Sequence, residues 1–480
     1  MSTFTLRSVA VLTALALCSA AVCAAEAGDS AAALTETEQR LVAAIDDRQD
    51  EALDLLERAV NINSGSFNLA GVREVGALFD AAFSEAGFET EWLDGSAFDR
   101  AGHLVVRIGA NAHDDGYDKR YDSRYDNPDE SPHDDPDDKS HDKRGPHFVM
   151  IGHLDTVFEP DSPFQRFERL EGNLARGPGT TDMKGGNVII LEALRALDAV
   201  GALDDMQVTV VLIGDEESSG RPLSLSRAAL IEAATEADIA LGFEDGDSNP
   251  ETAVIARRGY TGWQLDVSGT PAHSSLIFRD EIGYGAGFEA ARILDGFRRE
   301  MAEEQYLTFN AGLVLTGTTI EHDAASATGQ AFGKPNVIPE TSVVTGDLRT
   351  LSADQEASAR ERMLAIVEDH LPGTSATITF TDGYPPLAPT EGNRRLLALY
   401  DRASRDLGFG PVGAVDPGAA GAADISFTAG LVDMALDGLG LMGSGGHTTD
   451  ETADLSTLPS QTKRAALLMY RLAQAHGESE

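Results

Sequence analysis

Three short apolar runs set the frame for this chain. Residues 147–153 ("HFVMIGH"), 206–214 ("MQVTVVLIG") and 237–243 ("ADIALGF") read as strands, and helical periodicity fills the intervals at 183–199 and 223–234. Strands alternating with helices predict an α/β fold: a mixed, mostly parallel sheet with helices on both faces. Upstream, 35–60 is a helical stretch with a capping-box start at Thr35, 72–88 is a second helix, and 103–109 is a strand. Helices at 393–407 and 458–475 complete the same unit. From about Ala256 the pattern changes. Strands at 262–269, 342–350 and 376–383, with helices at 284–299 and 352–370, predict a small α+β domain inserted into the first. The expected division is a first domain over 35–255 and 385–480, interrupted by an inserted domain over 256–384.

Two segments stand apart. Residues 1–24 have a basic start at Arg7, an apolar run over 9–22 and small residues near a cut after Ala24, the pattern of a secretory signal peptide. The run is too short to span a bilayer as a helix. Bulky Leu17 and Val22 precede Cys18 and Cys23, which argues against a lipid anchor. A secreted or periplasmic chain with no stable membrane insertion is expected. Both cysteines fall in this segment, so thiol chemistry and disulfides are excluded from the mature chain. Residues 111–146 are rich in Asp and almost free of aliphatic side chains, so they predict a disordered acidic insert. They lack the ordered oxygen spacing of an EF-hand loop. The formal net charge of −42 over 480 residues excludes nucleic acid as a partner, because phosphate binding needs a basic surface.

The apolar runs end on chemically active residues. His153 and Asp155 follow one in "GHLDTV", Glu216 and Glu217 another in "GDEESSG", and Glu244 a third in "LGFED". Asp182 lies in the glycine-rich "RGPGTTDMKGG" and His447 in "MGSGGHTTDE". Open α/β sheets bind ligands at the carboxyl ends of their strands. Taken singly, each residue is an ordinary cap or solvated group. Together, two histidines and three carboxylates suit two Zn²⁺ ions, or other first-row ions such as Co²⁺ or Mn²⁺. Such a pair acidifies water and polarises a carbonyl. A further carboxylate must then carry the proton to the leaving group. Neighbours on an extended backbone point in opposite directions, so Glu216 and Glu217 can divide those duties.

In order, "GHLDTV", "GPGTTDMKGG", "GDEESSG", "FED", "GTPAHSS", "NVIPETSVVTGDLR" and "GSGGHTTDE" resemble the motifs of the M20 metallopeptidases. That family includes glutamate carboxypeptidases, acetylornithine deacetylase and succinyl-diaminopimelate desuccinylase. The resemblance runs from about Leu41 to the C-terminus, apart from the acidic insert. It implies that Asp182 bridges two metals, with His153 and Glu244 completing one site and Glu217 and His447 the other. Glu216 would be the general base, and Asp155 would orient His153. A non-proline cis peptide would follow Asp182. The inserted domain would be a lid through which two chains form a homodimer. His273, in "GTPAHSS", would reach the neighbouring subunit's site and stabilise the oxyanion. Arg349 would bind the substrate carboxylate, with Asn336 near the same pocket. Asp424, in "GAADISF", matches a loop of the family, but Ala422 and Ala423 depart from its usual glycine-serine character, and Asp424 is read as structural. The expected activity is cleavage of an amide bond beside a free carboxylate, in a small peptide or N-acyl amino acid. A carboxypeptidase-type exopeptidase is preferred; alternatives are an N-acyl-amino-acid deacylase and, more remotely, a non-catalytic binding protein on the same fold.

Overall fold

A six-stranded sheet carries the site. In the computed structural model, which describes residues 32–109, 145–324 and 326–477, its spatial order is Glu89–Asp94, Gly102–Ile108, Gln207–Ile213, His147–His153, Ile239–Gly242 and Met434–Leu436. The last four strands run parallel; the first two pair antiparallel along one edge. The sheet is thus mixed and mostly parallel, as the strand–helix alternation predicts. The signal segment and nearly all of the acidic insert lie outside the described residues. Among the described residues, no helix is long and apolar enough to cross a membrane.

Strand alternation sorts side chains onto two faces. Phe148 and Met150 join the large core beneath helices Gly185–Ala199 and Thr457–Gly477, while Val149 and Ile151 enter the opposite core with Leu230 and Ile425. Helix Gly185–Ala199 comes close to the sheet because Gly186 has no Cβ; one built there would lie 2.1 Å from the Phe243 carbonyl oxygen. Two helical stretches that read as continuous are broken. The first divides into Glu36–Asp46, capped by Thr35 in a full capping box, and Gln49–Val60. The second breaks at Arg227, whose side chain is drawn inward and fully buried.

Residues Thr261–Asp382 build a second sheet, ordered Thr308–Gly317, Thr341–Arg349, Thr261–Gly269 and Thr374–Asp382. Helices Gly285–Met301 and Ala353–Glu368 cover it, and Trp263, Ile293, Phe297 and Met363 form its own core. The two chain segments that join this unit to the first pair with each other: Arg257 and Leu387 exchange backbone hydrogen bonds of 2.9 Å, and the Tyr260 amide donates to the Tyr384 carbonyl at 2.8 Å.

Candidate metal centre

Strand ends and two loops bring five side chains to one edge of the central sheet. His153 ends its strand; Glu217 and Glu244 follow the neighbouring strands. Asp182 sits in an irregular turn over Thr180–Lys184, just before helix Gly185–Ala199, and a cis peptide links it to Met183. His447 projects from a loop in the left-handed region at φ 61°, which side-chain-bearing residues seldom adopt. A small four-stranded sheet aligns that loop with the Asp182 turn by pairing Thr452 with Arg176 and Gly443 with Ala453.

The two oxygens of Asp182 face different imidazoles. Oδ1 lies 3.0 Å from His153 Nε2, and Oδ2 lies 2.9 Å from His447 Nε2. Glu244 Oε1 is 3.6 Å from His153 Nε2, and Glu217 Oε2 is 3.1 Å from His447 Nε2. Two triads result, His153–Asp182–Glu244 and Asp182–Glu217–His447, each with candidate ligand atoms within 4.8 Å of one another. They share Asp182. The nitrogen and oxygen donors suit first-row divalent cations, and the shared carboxylate suits a pair of them.

The electrostatics favour cations here. Burial pushes Glu217 up to about 7, with the Asp182 charge adding to it, and burial pushes Glu244 well above the carboxylate range. Burial would also raise Asp182, but hydrogen bonds from His153 and His447 hold it well below that range. His447 is raised to about 11, chiefly by hydrogen bonds to Asp182 and then Glu217. Without metal, protons compensate the carboxylate charge.

Glu216 lies beside these triads. Burial, and next the Asp424 charge, push its carboxyl well above the usual range. Asp155 is buried behind His153, whose Nδ1 lies 3.4 Å from Asp155 Oδ1. The Asp155 carboxylate also accepts the backbone amides of Glu216 and Glu217 at 3.0 and 3.1 Å, and the Ser66 hydroxyl at 2.6 Å. One carboxylate therefore fixes the loop bearing Glu216 and Glu217 relative to the His153 strand.

His273, Asn336 and Arg349 are elsewhere. His273 and Asn336 are exposed neighbours at one end of the second sheet, where the Ser274 amide donates to the Asn336 carbonyl at 2.9 Å. Arg349 ends the nine-residue strand Thr341–Arg349 at the other end, beside the connectors; its guanidinium stacks 4.7 Å from the Tyr260 ring and its Nε donates to Asp347 at 2.9 Å. Strand rise separates those ends by roughly 26 Å. Within one chain, then, Asn336 does not flank the pocket of Arg349: the strand between them is extended.

Several supporting residues escape sequence reading. Glu451 is fully buried and accepts from the amides of Gly179, Thr181 and Asp182 at 2.9, 2.9 and 3.3 Å, clamping the Asp182 turn. Its only sequence signal is its place in the motif that carries His447. Asn187 Nδ2 donates to the His153 carbonyl at 2.6 Å. Asp437 accepts from Arg257 Nε at 2.7 Å and from the Glu244 amide at 3.4 Å. Asp424, by contrast, is read from the sequence as structural, and it forms a buried ion pair with Arg227 Nε at 2.7 Å.

The raised groups give the metal dependence a sign. Glu217 favours the metal-free fold below its ordinary pKa near 4.5 and loses that contribution as pH rises through about 7. His447 contributes fully below 6.5 and loses its contribution as pH climbs toward about 11. A bound cation replaces both protons. At one free Zn²⁺ concentration, thermal unfolding should therefore show a larger Zn²⁺-induced rise in Tm at pH 8 than at pH 5.5; an equal or smaller rise at pH 8 would contradict this charge assignment.

The family model described as Peptidase family M20/M25/M40 matches residues 149–473. Carboxypeptidase G2 of Pseudomonas sp. (strain RS-16) is 25% identical over 438 residues, covering 90% of this chain and 92% of that protein. An aminopeptidase PepT structure from Bacillus cereus superposes with a TM-score of 0.62 at 17% identity, over 88% of this chain and 99% of that one. A Bacillus subtilis protein described as a dinuclear metal binding M20 peptidase gives a TM-score of 0.57 at 13% identity, over 89% and 99%. With two metal-ligand triads sharing one carboxylate on this sheet edge, and a family match across most of its length, the chain belongs to peptidase family M20/M25/M40 and is a metallopeptidase.

Proposed function

We propose that this peptidase is a dizinc exopeptidase of the carboxypeptidase type that cleaves the amide bond next to a free carboxylate. The observation that carries the reading is the pair of triads around Asp182 with the half-buried Glu216 carboxyl beside them. His153 and Glu244 would hold one ion, Glu217 and His447 the other, with Asp182 a ligand common to both triads. When bound, the pair supplies Lewis acidity toward the scissile carbonyl and acidifies the attacking water. Glu216 takes a proton from the attacking water and delivers it to the departing amine nitrogen as the C–N bond breaks; burial holds its carboxyl well above the usual carboxylate range. Asp155 keeps Glu216 aligned through its backbone amide.

Arg349 receives the substrate's free carboxylate with its planar fork. Asp347 accepts only from Nε, and among the described residues the terminal guanidinium nitrogens make no hydrogen bond. The likeness to carboxypeptidase G2 over nearly the whole chain supports a substrate of this kind. The enzyme acts as a homodimer through the lid sheet, whose outer strand Thr308–Gly317 bears an exposed Val314. In that arrangement the partner subunit's His273 and the partner subunit's Asn336 serve each site, with the imidazole stabilising the oxyanion. The separation of His273 and Asn336 from Arg349 within one chain supports this sharing. The apolar segment 9–22 supports export to the periplasm or medium, and a chain retained uncut in the cytoplasm would count against it.

A panel of dipeptides, N-acyl amino acids and folate-like glutamate conjugates tests the reaction class. Substrates with a free C-terminal carboxylate should be hydrolysed and their amides spared. Glu216→Gln should lower kcat by about 10²–10⁴-fold, the range for losing a general acid–base, with metal content unchanged. Preference for acyl amino acids over peptides would replace carboxypeptidase with deacylase; full activity in Glu216→Gln would contradict the mechanism. Subunit sharing is checked by mixing Glu216→Gln and His273→Ala chains after dissociation. Each is inactive alone, and the mixture should regain turnover through hybrids with one intact site. A mixture that stays inactive, or a chain that sediments as a monomer, would rule the sharing out.

A further inference from the structure

The Glu216 peptide is held at both ends. Its amide donates to Asp155, and its carbonyl accepts the Tyr384 hydroxyl at 3.1 Å. Tyr384 lies just past the last lid strand, Thr374–Asp382, on the connector that returns to the first unit. Its hydroxyl also accepts from Arg227 Nη2 at 2.7 Å and lies 3.2 Å from Ser219 Oγ. Arg227 is fully buried; its Nε donates to Asp424, its Nη1 to Asp215 at 2.8 Å, and its Nη2 to the Ser219 hydroxyl at 3.0 Å. Asp215 in turn accepts the Gly220 amide at 2.7 Å. The loop 215–220 is thus braced from inside by Arg227 and Asp215, and from the lid side by one phenol.

We infer that Tyr384 is a positioning residue for the reaction: it ties the lid connector to the backbone of Glu216, so that the attitude of the lid and the aim of the base are set together. The inference rests on the reading of Glu216 as the base. The geometry is specific. Tyr384 packs its ring 5.0 Å from Phe427, so ring and hydroxyl act separately: the ring anchors the connector, and the hydroxyl reaches the loop. The Tyr384 backbone is fixed by the hydrogen bond that the Tyr260 amide donates to its carbonyl, leaving the phenol little freedom to follow a displaced loop. A swing of the lid at this connector therefore carries the Glu216 carbonyl with it.

Tyr384→Phe keeps the ring and removes the hydroxyl. Measured on the metal-loaded enzyme, it should lower kcat by about tenfold, as expected for the lost hydrogen bond to Glu216 expressed in the transition state, with KM within about twofold, metal content unchanged and a small loss of Tm from the unpaired Arg227 donor. Tyr384→Leu, which also removes the ring, should lose more Tm. Wild-type kcat in Tyr384→Phe, or a kcat loss that tracks lost metal, overturns the inference. Glu216→Gln assayed in parallel separates the two claims. If it is inactive while Tyr384→Phe behaves as wild type, only the positioning role falls; if Glu216→Gln retains full turnover, the base assignment falls and the positioning role falls with it.

Discussion

The Asp182 carboxylate faces two imidazoles at once, and the rest of the site is arranged to keep it there. An anion 2.9–3.0 Å from two histidines, with two further carboxylates close behind, is a costly thing to bury. Glu451 fixes the Asp182 turn by collecting its backbone amides, although it adds a further buried carboxylate nearby. Metal-binding side chains commonly need such support from behind, because it fixes their orientation before the ion arrives. Asp155 does the same for His153 and for the loop carrying Glu216 and Glu217.

Two buried arginines extend this support toward the connectors. Arg227 neutralises Asp215 and Asp424 beneath the Glu216 loop. Arg257, on the first connector, pairs with Asp437, which in turn accepts the Glu244 amide. Removing one partner of a buried pair leaves an uncompensated charge, which is why such networks resist piecemeal change. Each connector therefore leads, through one or two hydrogen bonds, to a loop at the metal site. The second sheet is joined to the chemistry as well as to the chain.

Much of this could be read from the sequence because the informative residues sit at strand ends. Apolar runs locate the central strands, and polar residues at or just past their carboxyl ends, His153, Glu217 and Glu244, gather where ligands bind in open α/β sheets. What escaped depends on contacts between residues distant in the chain. Glu451 reaches back some 270 positions to the Asp182 turn, and its place in the His447 motif does not reveal that contact. Arg227 looked like one more residue of a helix over 223–234; buried pairing turns it inward and breaks that helix. The hairpin Thr319–Asp323 and Thr328–Phe332 is largely exposed and lacks the apolar alternation that announces a strand. Asn336 and Arg349 are close in sequence, yet an extended strand carries them to opposite ends of a sheet.

The central claim is that one carboxylate serves two cations, and metal stoichiometry tests it most directly. Elemental analysis of the purified, Zn²⁺-equilibrated chain should find two ions. Glu244→Ala and Glu217→Ala should each retain one, while Asp182→Ala, which removes a ligand common to both triads, should retain neither. Two ions held by Asp182→Ala, or a single ion in the unaltered chain, would contradict a shared dinuclear centre.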